Sequence, residues 1–287
     1  MDAKELLKKV RLIELKTKGL SSQVFSGEYH SAFKGRGMAF SEVREYMPGD
    51  EIRTIDWNVT ARFNHPYVKV FHEEREMTVM LVIDISGSSS FGTRSQLKRE
   101  LIAEIAAVIS FSAIQNNDKI GVILFAGKPE LYIPPKKGKK HILRIIRELI
   151  EFKPNTKETN IGTTLDYLNN VVKKRSIVFL ISDFLDNSFE DQLKITNRKH
   201  DLVALQITDQ AEYNLPKVGW VQLQDLESNQ LKWVNTNLPK VRKRFADQGR
   251  SHDRYMKETF RKSGVDFAKI STGESYVKPL MNLFKNR

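Results

Sequence analysis

The sequence predicts an α/β protein with a doubly wound, mostly parallel central sheet, helices on both faces and an N-terminal extension. Three largely apolar runs indicate strands that are buried on both faces of a sheet, because a half-buried strand would alternate polar and apolar residues. These runs are TVMLVI at 78–83, KIGVILFA at 119–126 and SIVFLIS at 176–182. Segments with helical periodicity separate the runs, and parallel strands need such crossover connections.

The elements around the second run follow from local patterns. Residues 94–115 predict a helix, because apolar side chains recur there at steps of three and four residues. LYIPP at 131–135 predicts a short strand that stops at its two prolines, since proline cannot donate to a strand ladder. A helix with isoleucines along one side is expected over 139–152.

The alternation continues to the end of the chain. Helices are predicted over 163–173, 189–198 and 276–284, and strands over 201–208 and 265–270. Asn237 and Pro239 are typical of a helix cap and a first helical position, and they predict a basic helix that ends near Arg261. Gly249 lies in the middle of this segment and argues against a continuous helix.

Residues 1–75 differ in character from the main domain at 76–287. Leu6, Val10 and Ile13 predict an amphipathic helix, and the stretch that follows is rich in glycine, arginine and aromatic residues without clear periodicity. We find neither an internal repeat nor a low-complexity linker in the sequence. The first 75 residues are therefore expected to form an extension that docks on the main domain.

Composition limits the classes of function. The chain has no cysteine, which excludes disulfides, thiolate metal sites and cysteine nucleophiles. It has no run of about 18 apolar residues that could span a membrane, and its charged start does not resemble a signal peptide. We therefore predict a cytoplasmic protein without a membrane span.

The net charge of +12 is concentrated near the end of the chain, where residues 240–287 contain 13 Lys or Arg and 5 Asp or Glu. An acidic protein partner or a solvated surface would account for this charge. Nucleic-acid binding through the basic helix is an alternative, but few aromatic side chains are interleaved there to stack on bases.

Polar side chains follow the apolar runs at corresponding places. Asp84, Ser86 and Ser88 occur as DISGS directly after the first run. Thr159 precedes a predicted helix, and Asp183 follows the third run. Ligands of open α/β sheets bind beyond the carboxyl ends of the strands, and carboxylates with hydroxyls suit Mg²⁺, Mn²⁺ or Ca²⁺. The sequence therefore predicts one divalent-cation site at this edge, with Mg²⁺ as the expected ion.

This pattern resembles the metal-ion-dependent adhesion site of von Willebrand factor A domains, a D-x-S-x-S loop with a later threonine and aspartate. DISGS at 84–88, TNIG at 159–162 and FLISDF at 179–184 match its three elements. The resemblance implies a Rossmann-like von Willebrand A fold and direct cation contacts from Ser86, Ser88 and Thr159. Asp84 and Asp183 would act directly or through water. A partner protein's Asp or Glu would complete the shell around the cation.

Two alternatives compete with this prediction. A Mg²⁺-dependent phosphoryl-transfer enzyme would need a nucleophile or a denser carboxylate cluster, whereas the position two residues after Asp84 is Ser86. In a purely structural role, Ser86 and Ser88 would cap the following helix and Asp183 would begin a turn. The sequence contains neither G-x-S-x-G nor a phosphate-binding G-x-x-x-x-G-K-[ST] motif. We expect the chain not to be an enzyme.

The extension resembles the signature that precedes the A domain in the bacterial family called domain of unknown function 58. Its elements are GRG at 35–37, REY at 44–46, PGD at 48–50 and IDW at 55–57. The resemblance implies a partnership with MoxR-type AAA+ ATPases, for which the chain would be an adaptor or co-chaperone. Within the signature, Arg44, Asp50, Arg53 and Asp56 are expected to form an ion network that is structural.

Overall fold

The structure is a computed structural model that describes residues 39–72, 76–92, 97–186, 188–224 and 231–285. The chain divides into two compact units, and residues 34–77 form the smaller one while residues 78–287 belong to the larger. The predicted helix around Leu6, Val10 and Ile13 lies outside the described residues. A docked extension over residues 1–75 therefore stays a prediction.

The smaller unit contains two antiparallel strands and one short helix: β1 (Ala39–Glu45), α1 (Trp57–Phe63) and β2 (Tyr67–His72). Asp56 caps α1 by accepting bonds from the backbone N–H groups of Asn58 and Val59, and it lies 3.3 Å from the Lys69 ammonium. Arg44 donates two bonds of 2.7 Å to the Asp50 carboxylate. The prediction of one network of Arg44, Asp50, Arg53 and Asp56 is therefore wrong. Arg44 and Asp50 form one contact, and Asp56 pairs separately with Lys69, which was not predicted.

The larger unit contains the other described strands: β3 (Thr78–Asp84), β4 (Lys119–Phe125), β5 (Pro129–Lys136), β6 (Ile177–Ser182), β7 (Asp201–Thr208), β8 (Trp220–Gln224), β9 (Leu231–Asn235) and β10 (Asp266–Ser271). Six of them form one sheet in the order β5-β4-β3-β6-β7-β10. All neighbours in this sheet are parallel except β5, which is antiparallel to β4. The predicted mostly parallel α/β sheet is confirmed.

The helices of the larger unit are α2 (Lys98–Gln115), α3 (Lys139–Glu151), α4 (Ile161–Val171), α5 (Glu190–Lys199), α6 (Pro239–Ser263) and α7 (Val277–Lys285). On one face of the sheet, Leu165 of α4, Leu193 of α5 and Phe260 of α6 pack in a cluster with Leu180 of β6. On the other face, the neighbouring residue Phe179 contacts Phe284 of α7, with ring centres 6.2 Å apart. Helices therefore cover both faces, as the alternation of elements predicted.

Strand β5 continues through Pro134 and Pro135 to Lys136, so the predicted stop at the prolines is wrong. The strand lies at the end of the sheet, where a proline needs no ladder partner on its outer side. On its inner side β5 approaches β4 closely, because a Cβ at Gly121 would lie 2.9 Å from the Ile133 carbonyl oxygen. Glycine at this position allows the two strands to pair.

Helix α6 runs from Pro239 to Ser263 and is continuous through Gly249, so the predicted basic helix is confirmed. A Cβ at Gly249 would lie only 2.8 Å from Cδ1 of Tyr213, so the glycine allows the helix to pack against that ring. The packing therefore explains why a weak helix former occurs in mid-helix. The antiparallel hairpin of β8 and β9 was not predicted at all. No helix among the described residues is long and apolar enough to cross a membrane.

Candidate metal site

The predicted cation-binding residues lie at the point where the strand order of the sheet reverses. Strand β3 runs between β4 and β6, and Ile83 is level with Leu124 on one side and Ile181 on the other. Asp84 ends β3, and Asp183 directly follows β6. In doubly wound sheets the connections diverge to opposite faces at this point and leave a crevice at the carboxyl edge, where ligands bind.

Asp84 is buried with 3% of its surface exposed. One carboxylate oxygen accepts a bond of 2.6 Å from the Ser182 hydroxyl, and the other accepts one of 2.9 Å from the Ser86 backbone N–H. Burial and the nearby charge of Asp183 raise the pKa of Asp84 to about 7, although its hydrogen bonds act in the opposite direction. A bound cation would favour the charged form of this carboxylate.

The two serine hydroxyls of the DISGS loop lie side by side, because the oxygens of Ser86 and Ser88 are 3.0 Å apart. Both side chains are buried. Ser86 precedes the short 3-10 turn Gly87–Ser90, but its hydroxyl does not cap that turn. Two ligands at right angles around Mg²⁺, each at 2.0–2.1 Å, would be separated by about 2.9 Å. The two hydroxyls form a hydrogen bond with each other at this distance, and the same spacing would also suit two ligands of one cation.

The loop that carries Thr159 is fixed to the same edge on both sides of this residue. The backbone N–H of Gly87 donates to the Lys157 carbonyl oxygen over 3.0 Å. On the other side of Thr159, the backbone N–H of Asn160 donates to the Ala126 carbonyl oxygen at the end of β4, also over 3.0 Å. The structure therefore places the threonine loop next to the serine loop, as the sequence predicted.

Asp183 pairs with a buried lysine that the sequence analysis did not identify. Lys98 is 1% exposed, and its ammonium lies 3.0 Å from one Asp183 oxygen and also contacts the Glu212 carboxylate. Burial alone would lower the pKa of Lys98, but the two carboxylates raise it above the ordinary value. Helical spacing places Lys98 on the same face as the buried residues Leu101 and Ile105, and this was the signal for its burial.

Phe184, the residue after Asp183, has a left-handed backbone conformation with φ of 58°. This conformation is strained for a bulky side chain. Two kinds of contact stabilise it: the Phe184 N–H donates to the Ser182 hydroxyl over 2.9 Å, and the buried ring lies 5.0 Å from the ring of Phe260. The turn that positions Asp183 is therefore held by the hydrophobic core and by the hydroxyl that also binds Asp84.

The charges around the site fit a divalent cation. Asp84, Asp183 and Glu212 carry three negative charges when ionised, and Lys98 supplies one positive charge, which leaves two negative charges. The described residues contain no group of three or more His, Cys, Asp and Glu side chains that could hold a metal ion. The serine hydroxyls would therefore have to complete the ligand set, which consists of the hard oxygen donors that Mg²⁺ and Ca²⁺ prefer.

The strand order, the antiparallel end strand and the D-x-S-x-S loop at the switch point define a von Willebrand factor A-type domain. The chain belongs to the family described as protein of unknown function DUF58, whose model matches residues 42–255.

The chain is similar to several relatives and solved structures. The uncharacterized protein Rv1480 of Mycobacterium tuberculosis is 28% identical over 290 residues, which cover 100% of this chain and 91% of that protein. The conserved hypothetical protein BatB from Bacteroides thetaiotaomicron is similar over 73% of this chain and 98% of its own, with 12% identity and a TM-score of 0.46. The SpRpn10 VWA domain covers 74% of this chain and 96% of its own, with 11% identity and a TM-score of 0.38. Since both TM-scores lie below 0.5, the fold assignment depends on the strand order and register of this chain.

Proposed function

We propose that this protein is a divalent-cation-dependent protein-binding module, in which Asp84, Ser86, Ser88, Thr159 and Asp183 hold Mg²⁺. The cation would supply an electrophilic centre for an Asp or Glu carboxylate of a partner protein. The chain's own residues would position the cation at the carboxyl edge of the sheet. The proposed role is binding, without catalysis.

One observation carries this proposal. The hydroxyls of Ser86 and Ser88 lie 3.0 Å apart beside the buried carboxylate of Asp84, at the switch point of the sheet. Burial of a carboxylate without a paired cation is unfavourable, whereas burial of neutral hydroxyls costs far less. The carboxylates supply the negative charge that attracts the cation, and the hydroxyls add no further charge. The bound ion would therefore retain affinity for one more anionic oxygen.

The binding of the cation can be measured directly. Isothermal titration of the full chain with Mg²⁺, Mn²⁺ and Ca²⁺ should show one site, and Asp84→Ala should abolish it. Ser86→Ala and Ser88→Ala should each weaken the affinity. Ser110→Ala is a matched control, because this buried hydroxyl of α2 donates to the Ala106 carbonyl oxygen and should not affect the cation. Equal affinity of the Asp84→Ala protein would contradict the proposal.

We propose a MoxR-type AAA+ ATPase as the partner, with this chain as its adaptor or co-chaperone. The resemblance of the REY, PGD and IDW elements to the family signature supports this assignment, because that resemblance implies such a partner. An adaptor of this kind would rely on nucleotide hydrolysis by its partner. The full chain, immobilised in Mg²⁺, should retain such an ATPase from lysate and release it in EDTA. Retention of the same ATPase by Asp84→Ala, or in EDTA, would show that the cation site does not bind it.

A further inference from the structure

A cavity of about 460 Å³ opens beside Asp183, between the carboxyl end of β7 and helix α6. Asp183 and Glu212 line the end nearest the candidate metal site. Its walls include the apolar side chains Leu185 and Phe245 and the ring of Tyr213. Pockets of this volume that combine apolar walls with a few polar groups are typical ligand sites.

Two buried nitrogen atoms of side chains that line this cavity lack a partner. Gln206 of β7 is 2% exposed, and His252 of α6 lines the same cavity. Within the described part of the chain, neither Nε2 of Gln206 nor Nε2 of His252 has a hydrogen-bond partner. A buried donor that stays unpaired costs free energy, so such groups in native proteins usually have a ligand or another partner. Both atoms can donate a hydrogen bond to an oxygen atom.

The wall of the cavity that contains the Tyr213 ring is held in place by close packing. The Tyr213 hydroxyl donates to Asp253 over 2.8 Å, and the Lys269 ammonium lies 4.1 Å from the centre of the Tyr213 ring. Lys269 also lies 2.6 Å from Asp253. Gly249 brings α6 against the same ring. These contacts fix the cavity beside the cation site, so its occupant would be selected by shape and chemistry.

We propose that this cavity binds a glutamine or asparagine side chain of the partner, close to the acidic residue that completes the cation site. The inference rests on the proposed function. A side-chain carbonyl oxygen would accept bonds from Gln206 and His252, and its amide NH₂ could donate to Asp183 or Glu212. Asp183 and Glu212 share the Lys98 ammonium and keep one net negative charge, which disfavours an anionic side chain. A Lys or Arg side chain has no acceptor for the two Nε2 donors, so a neutral amide fits best. Leu185 and Phe245 match its methylene groups.

A peptide library tests this inference. The probes are ten-residue peptides with one fixed central aspartate and randomised flanks, retained on the immobilised full chain in Mg²⁺ and then sequenced. We expect enrichment of Gln or Asn at one position near the aspartate. Gln206→Leu should reduce this enrichment about three- to tenfold, which corresponds to the loss of one hydrogen bond, and His252→Phe should act in the same direction. Gln222→Leu, a change of the same type on the exposed side of β8, should leave the enrichment unchanged.

The melting temperature of the Gln206→Leu protein provides a second readout. The substitution removes an amide whose buried nitrogen is unpaired and keeps an apolar group of similar size, so the melting temperature should change little. Three outcomes would overturn the cavity assignment. The wild type could bind the peptides without enriching Gln or Asn, or the Gln206→Leu protein could enrich them equally. A much lower melting temperature of the Gln206→Leu protein would be the third. Retention of the aspartate peptides in EDTA would instead overturn the cation-dependent function, so the two failures are distinguishable.

Discussion

Asp84 and Asp183 end two neighbouring strands and are both buried, yet their surroundings differ. Asp183 pairs with the Lys98 ammonium, which also contacts Glu212. Asp84 accepts bonds from neutral groups, the Ser182 hydroxyl and a backbone N–H. One carboxylate is therefore compensated by a cation of the protein, whereas the other is solvated by dipoles alone.

This difference indicates a division of roles within the site. A buried carboxylate in an ion pair has a structural role, because removal of either partner strongly destabilises the folded state. A buried carboxylate that only receives hydrogen bonds from neutral donors can gain from an added cation. We therefore expect the Asp183 side to determine stability and the Asp84 side to determine cation affinity, and four predictions test this distinction.

The largest effect is expected for Lys98→Met. The substitution removes the ammonium and leaves Asp183 and Glu212 without it, which should lower the free energy of unfolding by about 3–5 kcal/mol. Urea unfolding in EDTA measures the change. Lys194→Met serves as a control, since Lys194 pairs with the highly exposed Asp191 and should contribute little. Equal stabilities of the two variants would show that Lys98 is not the main counter-charge of the Asp183 side.

Asp84→Asn should change how stability depends on pH in EDTA. The pKa of Asp84 in the folded chain is about 7, above its ordinary value, so the folded state binds the proton more tightly than the unfolded state. Its stabilising contribution is complete below about pH 4 and is lost as the pH rises through about 7. Between pH 5 and pH 8, wild type should lose on the order of 3 kcal/mol relative to Asp84→Asn.

Urea unfolding at the two pH values measures this difference. Mg²⁺ at pH 8 should restore the stability of the wild type and should not stabilise Asp84→Asn, because the substitution removes the charge that binds the cation. If both proteins lost stability equally between pH 5 and pH 8, Asp84 would not be the titrating group.

Gly249→Ala should affect the Asp183 side alone. The new methyl group would lie 2.8 Å from Tyr213, the neighbour of Glu212, so the 3-10 turn that carries Glu212 must shift. Overpacking costs about 1–3 kcal/mol, and the better helix propensity of alanine offsets up to about 1 kcal/mol. We expect a net loss of unfolding free energy and, in titration calorimetry, a much smaller change of Mg²⁺ affinity than Ser86→Ala causes. The exposed neighbour Ser251→Ala is the control, and a more stable Gly249→Ala protein would contradict the close packing.

The smallest effect is expected for Arg44→Met in the smaller unit. Arg44 and Asp50 form a bidentate pair near the protein surface. Solvent screens their attraction, as it does in other surface salt bridges. The Asp50 carboxyl also accepts a bond from the Met47 N–H, and both contacts lower its pKa. The Mg²⁺ affinity and the urea midpoint of the larger unit should stay at wild-type values. A clear loss of Mg²⁺ affinity would instead link the signature residues to the cation site.

The sequence predicted the sheet well because its strands are recognisable locally. The runs that became β3, β4 and β6 are apolar throughout, and no other element fits such short runs between helices. The β8 and β9 hairpin escaped prediction because each strand has only five residues and its large side chains, Trp220 and Trp233, are exposed, so no buried apolar run marks it. The helix through Gly249 was predicted, but the reason for a glycine there was not, since it depends on the distant ring of Tyr213.

The candidate site was predicted in part. Asp84, Ser86 and Ser88 lie within five consecutive residues and match a known pattern, so they could be found from the sequence alone. Lys98 and Ser182 could not be assigned in the same way, because their partners lie 85 and 98 residues away along the chain. Which carboxylate acquires a counter-ion is a property of the folded sheet and its helices, and the loop motif does not encode it.

The prolines of β5 limit how copies of this chain can associate. In the part of the chain that the structure describes, β5 is one end of the six-stranded sheet, where an unprotected strand could pair with the same strand of another molecule. Pro134 and Pro135 offer no N–H to such a neighbour, and the adjoining Lys136 and Lys137 would repel their counterparts. The sheet is therefore protected at this end against edge-to-edge aggregation, which would otherwise compete with folding when the protein is concentrated.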